Sequence, residues 1–287
     1  MERDRRKKKS QFIMVMNRLK RNRMAVAGMV IITVMVLASV CAPLIAPYGY
    51  EQQDLYHIFA PPGNGHIFGT DNLGRDIFSR LLYGGRQSLK IGAVSVAMAS
   101  VVGILVGCGA GYYGGRVDNL IMRFLDVFQA VPSLLMSIAI ATTLGPGINN
   151  AMLAIGITTI PGYARMTRAS FMSVRGMEYV EAAAAINATD LRIILKHILP
   201  NAISPIIVQI TMGVASSILA AASLSFMGLG AQPPLPEWGA MLSAGRTYIR
   251  DYPHLCMIPG VTIMLAVLSL NMLGDGLRDA LDPRLKN

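Results

Sequence analysis

The sequence predicts an all-α, polytopic membrane protein with six transmembrane helices and both termini in the cytoplasm. Three observations carry that prediction. Uncharged apolar runs long enough to cross a bilayer recur along the chain. Of the 287 residues, 53% are hydrophobic and only 15% charged, against roughly 25% charged in average soluble proteins. The basic residues also gather on one side of the apolar runs. A net charge of +10 spread over a soluble domain would suggest a nucleic-acid partner. Here it sits at the ends of apolar segments and reads as topology, so no nucleic acid is expected.

Residues 1–23 carry ten Lys/Arg, including Arg5 to Lys9. Directly before a long apolar segment, such a run holds the N-terminus in the cytoplasm. The first span is Met24 to Ala46, with Pro43 and Pro47 marking its exit. It is too long for a signal-peptide core and reads as an uncleaved anchor. Cys41 follows Val40 rather than a small residue, which argues against lipidation. Cys41, Cys108 and Cys256 lie far apart without ligand spacing and read as small buried hydrophobes.

Residues 47–88 are mixed and polar, with Gly, Asp and Asn between His66 and Asp76 reading as ordered turns. They lack the alternating acids and terminal Glu of a calcium loop. The second span, 91–115, is free of charge, and Gly103, Gly107 and Gly111 are spaced for close helix contact in lipid. From Val127 to Ala164 no residue is charged, a run of 38. One helix of that length would measure about 57 Å, roughly twice the hydrocarbon thickness. Leu144-Gly145-Pro146-Gly147 is a strong turn signal, so two antiparallel spans follow, about 124–144 and 150–166.

Residues 165–200 mix charge with an Ala-rich helical segment from Glu178 to Asn187. Asn tolerates a left-handed turn and Pro suits the first turn of a helix. Asn187 and Pro200 therefore predict a helix-turn-helix outside the lipid. The fifth span runs from Asn201 to about Phe226, residues 227–254 form a polar loop, and Leu255 to Gly274 is the sixth span. With both termini inside, the inner segments hold 20 Lys/Arg and the outer ones five, with Lys90 at a span edge. This agrees with the positive-inside rule and puts the 165–200 element in the cytoplasm.

An ionised side chain at mid-membrane marks ion coupling or catalysis, and none of the six expected spans has one near its centre. That disfavours an ion-coupled secondary carrier. No HExxH, GxSxG or GxxxxGK[ST] occurs, and the four histidines fall in loops or at span ends, so an intramembrane enzyme has no support. The 19 methionines are scattered and read as flexible filler rather than a copper path. No metal or catalytic site is expected, and energy has to come from outside the chain.

Glu181-Ala182-Ala183, followed by Ile198-Leu199-Pro200, resembles the EAA loop of binding-protein-dependent ABC importer permeases, with Asn187 where the family pattern has Gly. Residues 66–80, 111–118, 230–239 and 274–283 are similar to corresponding stretches of dipeptide, oligopeptide and nickel permeases, so the resemblance covers nearly the whole chain. It implies a type I importer permease of the C-type, non-catalytic, in the bacterial inner membrane. The implied division is a tail (1–23), a first helix (24–46), an extracytoplasmic region (47–88), a permease core with five further spans (89–275) and a tail (276–287).

The resemblance also implies partners: a second homologous permease in a heterodimer, two ATP-binding subunits and an extracytoplasmic solute-binding protein. ATP would be bound by the partner ATPases, with no cofactor on this chain. Glu181, Ala182, Ala183, Asn187, Leu199 and Pro200 would form the ATPase-coupling element. Dipeptides or short peptides are the implied substrate; nickel or metallophores, opines and glutathione remain same-fold alternatives.

Overall fold

The computed structural model describes residues 14–63 and 65–281, and these contain helices and isolated bridges but no β-strand. A helical lead-in at 14–21 precedes α1 (Arg23–Val40), with the short α2 (Ala42–Ile45) after it. Then come α3 (Ile77–Tyr113), α4 (Gly115–Gln129), α5 (Ser133–Leu144), α6 (Ile148–Arg175), α7 (Glu178–Ala185) and α8 (Asp190–Ile193). A π-helical turn (Ile194–Ile198) leads into α9 (Leu199–Phe226), followed by α10 (Trp238–Gly245) and α11 (His254–Leu281). The first 13 residues of the expected N-terminal tail and residues 282–287 of the C-terminal one lie outside the described residues.

Four helical segments are long and apolar enough to cross a membrane: α1, α3, the run Asp190–Phe226, and α11. A fifth is reached if α4 and α5 count as one span broken by 80°. The expected continuous span at 124–144 is thus two helices. Pro132 has no N–H, and the residue before a proline is pushed out of the α region; the chain breaks at 130–132 and restarts at Ser133 with Pro132 as N-cap. The expected span at 150–166 lies within α6, which is long enough but not among the apolar four. Its Asn149, Asn150, Thr158, Thr159 and Arg165 lower the hydropathy. One face of α6 is buried against other helices, including Ala151, Ile155, Thr158, Ala164 and Phe171.

The pairing of α3 with α6 is the most extensive in the bundle. A Cβ at Gly103, Gly107 or Gly111 would come within 3.0 Å of Tyr163, of Ala164 and Thr167, or of Phe171, all on α6. The glycine stripe read from the sequence is therefore the seam along which the two backbones approach. Around this pair pack α9 and α11, and α1 lies against α3 and α11. Arg86 of α3 donates from Nε to the Ser39 carbonyl at 2.7 Å, a cation at the carbonyl end of α1 where the helix dipole favours it.

At 37 residues, α3 is about 56 Å long at 1.5 Å per residue and has two distinct ends. It begins at Ile77, well before the charge-free run, because Asp76 caps it: its carboxylate accepts from the Ser79 N–H at 2.7 Å. At this end Trp238 is buried beside Gly84 and Gly85 and donates from Nε1 to the Leu81 carbonyl at 3.0 Å. Glu237, 1% exposed, accepts from Ser88 Oγ at 2.8 Å and from the Ala240 N–H at 2.9 Å. Phe59 stacks on Tyr252 with centroids 4.3 Å apart, tying the 47–76 loop to the segment before α11.

Candidate functional site

The opposite end of α3 meets α7, α8 and the π-helical turn. Residues Glu178 to Ala185 form one helix of eight residues, too short to persist in water by itself. It is held by its inner face. Val180 and Ala183, three apart and so on the same side, are buried at 5% exposure each. They join a cluster containing Phe171 and Val174 of α6, Ile193 of α8, Ile198 of the π-helical turn and Ala202 of α9, with Cys108 and Tyr112 of α3 against it. Phe171 is fully buried and sits over Gly111 of α3, where a Cβ would collide with it.

The end of α7 has a defined geometry. Asn187 adopts φ +59°, the left-handed conformation expected of a residue standing where the family pattern has glycine. Its N–H donates to the Ala184 carbonyl at 2.9 Å, and the Ala188 N–H reaches back to Ala183 at 3.2 Å. That pair of bonds is a Schellman terminus, and the contact of Ala188 with the same apolar cluster completes it. The chain then reverses into α8. Asp190 in its first turn accepts a 2.7 Å hydrogen bond from the Tyr112 hydroxyl of α3.

Pro200 falls in the first turn of α9, as the sequence predicts, but α9 does not start afresh after α8. The helical path is continuous from Asp190 to Phe226, and a π-helical turn occupies Ile194–Ile198 immediately before Pro200. Proline lacks an N–H, and its ring crowds the carbonyl four residues back. The wider π-helical turn relieves that conflict. The periodic apolar pattern gave no signal of this turn; Pro200 within an otherwise helical stretch was the available clue.

The sequence-derived residues divide by face. Glu181, Ala182, Asn187 and Pro200 are exposed, Leu199 is half-buried, and Ala183 points into the cluster. Ala182 and Ala183 therefore do not share a surface. The outward face also carries apolar side chains that the motif did not flag: Tyr179 at 43% exposure, Ile186 at 81%, Leu191 at 67% and Leu195 at 52%. Glu178 and Glu181 lie in the first turn of α7, where acids favour the helix dipole, while Arg192 and Lys196 follow on the next elements. The pad is compact and amphipathic. It exposes apolar and charged groups and no nucleophile–base pair. Among the described residues, no group of three or more His, Cys, Asp or Glu could hold a metal ion.

Two ion pairs brace α6 against α4 nearby. Arg168 grips Asp118 with both Nε and Nη2, a bidentate geometry, and Arg165 Nη2 meets Asp126 at 2.6 Å.

Residues 99–287 match the family described as the binding-protein-dependent transport system inner membrane component. Residues 10–62 match the N-terminal transmembrane domain of oligopeptide transport permease C. The chain is 47% identical over 269 residues to the dipeptide transport system permease protein DppC of Alkalihalophilus pseudofirmus, covering 94% of this chain and 88% of the relative. It is 45% identical over 270 residues to the glutathione transport system permease protein GsiD of Escherichia coli, covering 94% and 89%. Among solved structures, it matches the MetNI methionine ABC transporter in an inward-facing conformation with TM-score 0.59 and 19% identity, over 71% of this chain and 97% of that one.

Proposed function

We propose that this chain, which belongs to the family of binding-protein-dependent transport system inner membrane components, forms one half of the translocation path of an ATP-driven importer of dipeptides or short peptides. As a family member it is a non-catalytic permease of the bacterial inner membrane that works with ATPase and binding-protein partners. The peptide substrate is inferred from the relative named a dipeptide permease at 47% identity. We further propose a heterodimer with a second homologous permease, two ATP-binding subunits and an extracytoplasmic binding protein, with ATP held by the ATPases alone.

The topology that fits this role has both termini in the cytoplasm and six crossings, with α4–α5 as a broken third span and α6 as the fourth. The single observation that carries the coupling role is the seating of α7. Its outer face is free, while its inner face shares one apolar cluster with α3, α6 and α9. Close-packed side chains transmit displacement rather than absorb it. A push on α7 from an ATPase cleft would therefore move three spanning helices together. In this scheme Glu181 and Ala182 face the ATPase, Ala183 seats α7, Asn187 sets its end, Leu199 of α9 packs on the same cluster, and Pro200 lies exposed in the first turn of α9 beside it.

The test is reconstitution of the chain with its partner subunits in proteoliposomes and measurement of labelled dipeptide uptake. Uptake that needs both ATP and the binding protein is expected. Uptake without ATP would refute the importer reading in favour of a carrier. A second substrate reading, glutathione, is supported by the 45% identity to a permease of that name; transport of glutathione in place of dipeptides would establish it.

A further inference from the structure

About a third of the way along α3 from its Ile77 end, away from α7, an open groove of about 530 Å3 lies between α3, the Gly145–Gly147 turn and the loop before α10. Small-ligand clefts occupy about 300–1,000 Å3. Its polar lining is Gln87, Lys90, Asn149, Asn150 and Gln232. Two of these amides are committed to the rim. Asn150 Nδ2 donates to the carbonyls of Leu144 and Gly145, each at 2.9 Å, and Gln232 Nε2 donates to Gly228 and Gly230 at 3.0 and 3.1 Å. The side chains of Gln87, Lys90 and Asn149 have no hydrogen-bond or ion-pair partner among the described residues.

No carboxylate lines this groove. Glu237, the acid of the neighbouring loop, is buried and turned onto Ser88 and Ala240. Lys90 is exposed and is the last charged residue before the uncharged stretch 91–115. An uncompensated ammonium among neutral amides attracts an anion and repels a metal ion. The start of α6, which has no side-chain cap, adds to the positive potential.

We propose that this groove receives the C-terminal carboxylate of a short peptide entering the membrane path, with Lys90 as its ionic partner and Gln87 and Asn149 as hydrogen-bonding groups for the peptide amides. The proposal rests on the peptide-importer reading above and names a contact point within it. A peptide released on the outer side must shed water from its carboxylate before entering charge-free spans. Lys90 stands at that boundary with no acid of its own.

The experiment uses the full complex in proteoliposomes with its binding protein and labelled dialanine as probe. Lys90→Met is expected to lower dialanine carried per ATP hydrolysed by about tenfold, the size of one charge-assisted contact. Lys90→Arg should restore it to within about twofold. The concentration of loaded binding protein that half-saturates ATP hydrolysis should move by less than about twofold in both. Unchanged transport per ATP in Lys90→Met overturns the proposal. So does a parallel tenfold rise in the half-saturating concentration, which would make the groove a docking surface for the binding protein. If Lys90→Met does not assemble, Asn149→Asp, which sets a carboxylate beside Lys90, is expected to give the same loss, and full transport there also overturns it. Failure of the unsubstituted complex to carry dialanine would instead refute the peptide reading itself.

Discussion

Gly107 offers the sharpest test of the fold, because a neighbour on the same helix supplies its own control. A Cβ at Gly107 would run into the Ala164 carbonyl and come within 2.7 Å of Thr167 Cβ, whereas one at Gly109 would meet nothing within 4 Å. Both glycines sit inside α3, so replacing either with alanine gains about 0.8–1.0 kcal/mol of helix propensity. Gly107→Ala also overpacks the seam, and because the obstacle is backbone it cannot rotate away; such insertions cost about 1–3 kcal/mol. The propensity gain cancels in the comparison, leaving Gly107→Ala about 1–3 kcal/mol below Gly109→Ala. At about 2–4 °C per kcal/mol for a chain of this size class, the two melting temperatures should differ by roughly 2–12 °C. Thermal melting of the purified complex in detergent, at one scan rate, reads the ranking. Equal melting temperatures would refute the reading of Gly103, Gly107 and Gly111 as the closest approach of α3 and α6.

Glu181→Lys should leave the chain inserted and assembled, since Glu181 is exposed, but uncouple ATP hydrolysis from uptake; normal dipeptide uptake in that variant would remove α7 from the coupling role. Asn187→Gly is expected to be neutral or slightly stabilising because φ is +59°, while Asn187→Val should cost about 1–2 kcal/mol, read as a lower melting temperature. If the glycine variant proved the worse of the two, an unseen contact of the Asn187 side chain would be indicated. Glu237→Ala should destabilise by about 1–3 kcal/mol through loss of the α10 cap and of the Ser88 partner, with Glu237→Gln closer to the native melting temperature; equal losses would mean that packing, rather than hydrogen bonding, holds the site.

What could be read from the sequence follows the physics of lipid. Long uncharged runs give α1, α3, α9 and α11, because lipid-facing helices must be apolar along their length. The Gly145-Pro146-Gly147 turn and the left-handed Asn187 were legible because few residues tolerate those backbones. The break at Pro132 was less so: the run 127–164 stays uncharged on both sides of it, and hydropathy does not register direction. The polar residues of α6 do not reveal its packing in the sequence, because α3 and α9, the helices that bury it most, come from other parts of the chain. The groove at Lys90 was invisible for the same reason, since it joins residues 87–90, 149–150 and 232.

The Ala182–Ala183 pair shows how a short motif can hold two physical roles. Adjacent residues on a helix point about 100° apart, so one alanine can face a partner while the next faces the protein's own core. Ala183 at 5% exposure lets α7 settle onto Phe171 and Ile193, and a larger residue there would lift the helix from its seat. Ala182 is exposed, and a small side chain there keeps the outer surface open to close approach. A helix of eight residues has little rigidity of its own, so whatever stiffness α7 has comes from Val180 and Ala183 and from the Schellman bonds at Asn187 and Ala188. The side that would be pushed and the side that would transmit the push are thus separate faces of the same two turns. For that reason the coupling scheme stands or falls with the inner face as much as with Glu181.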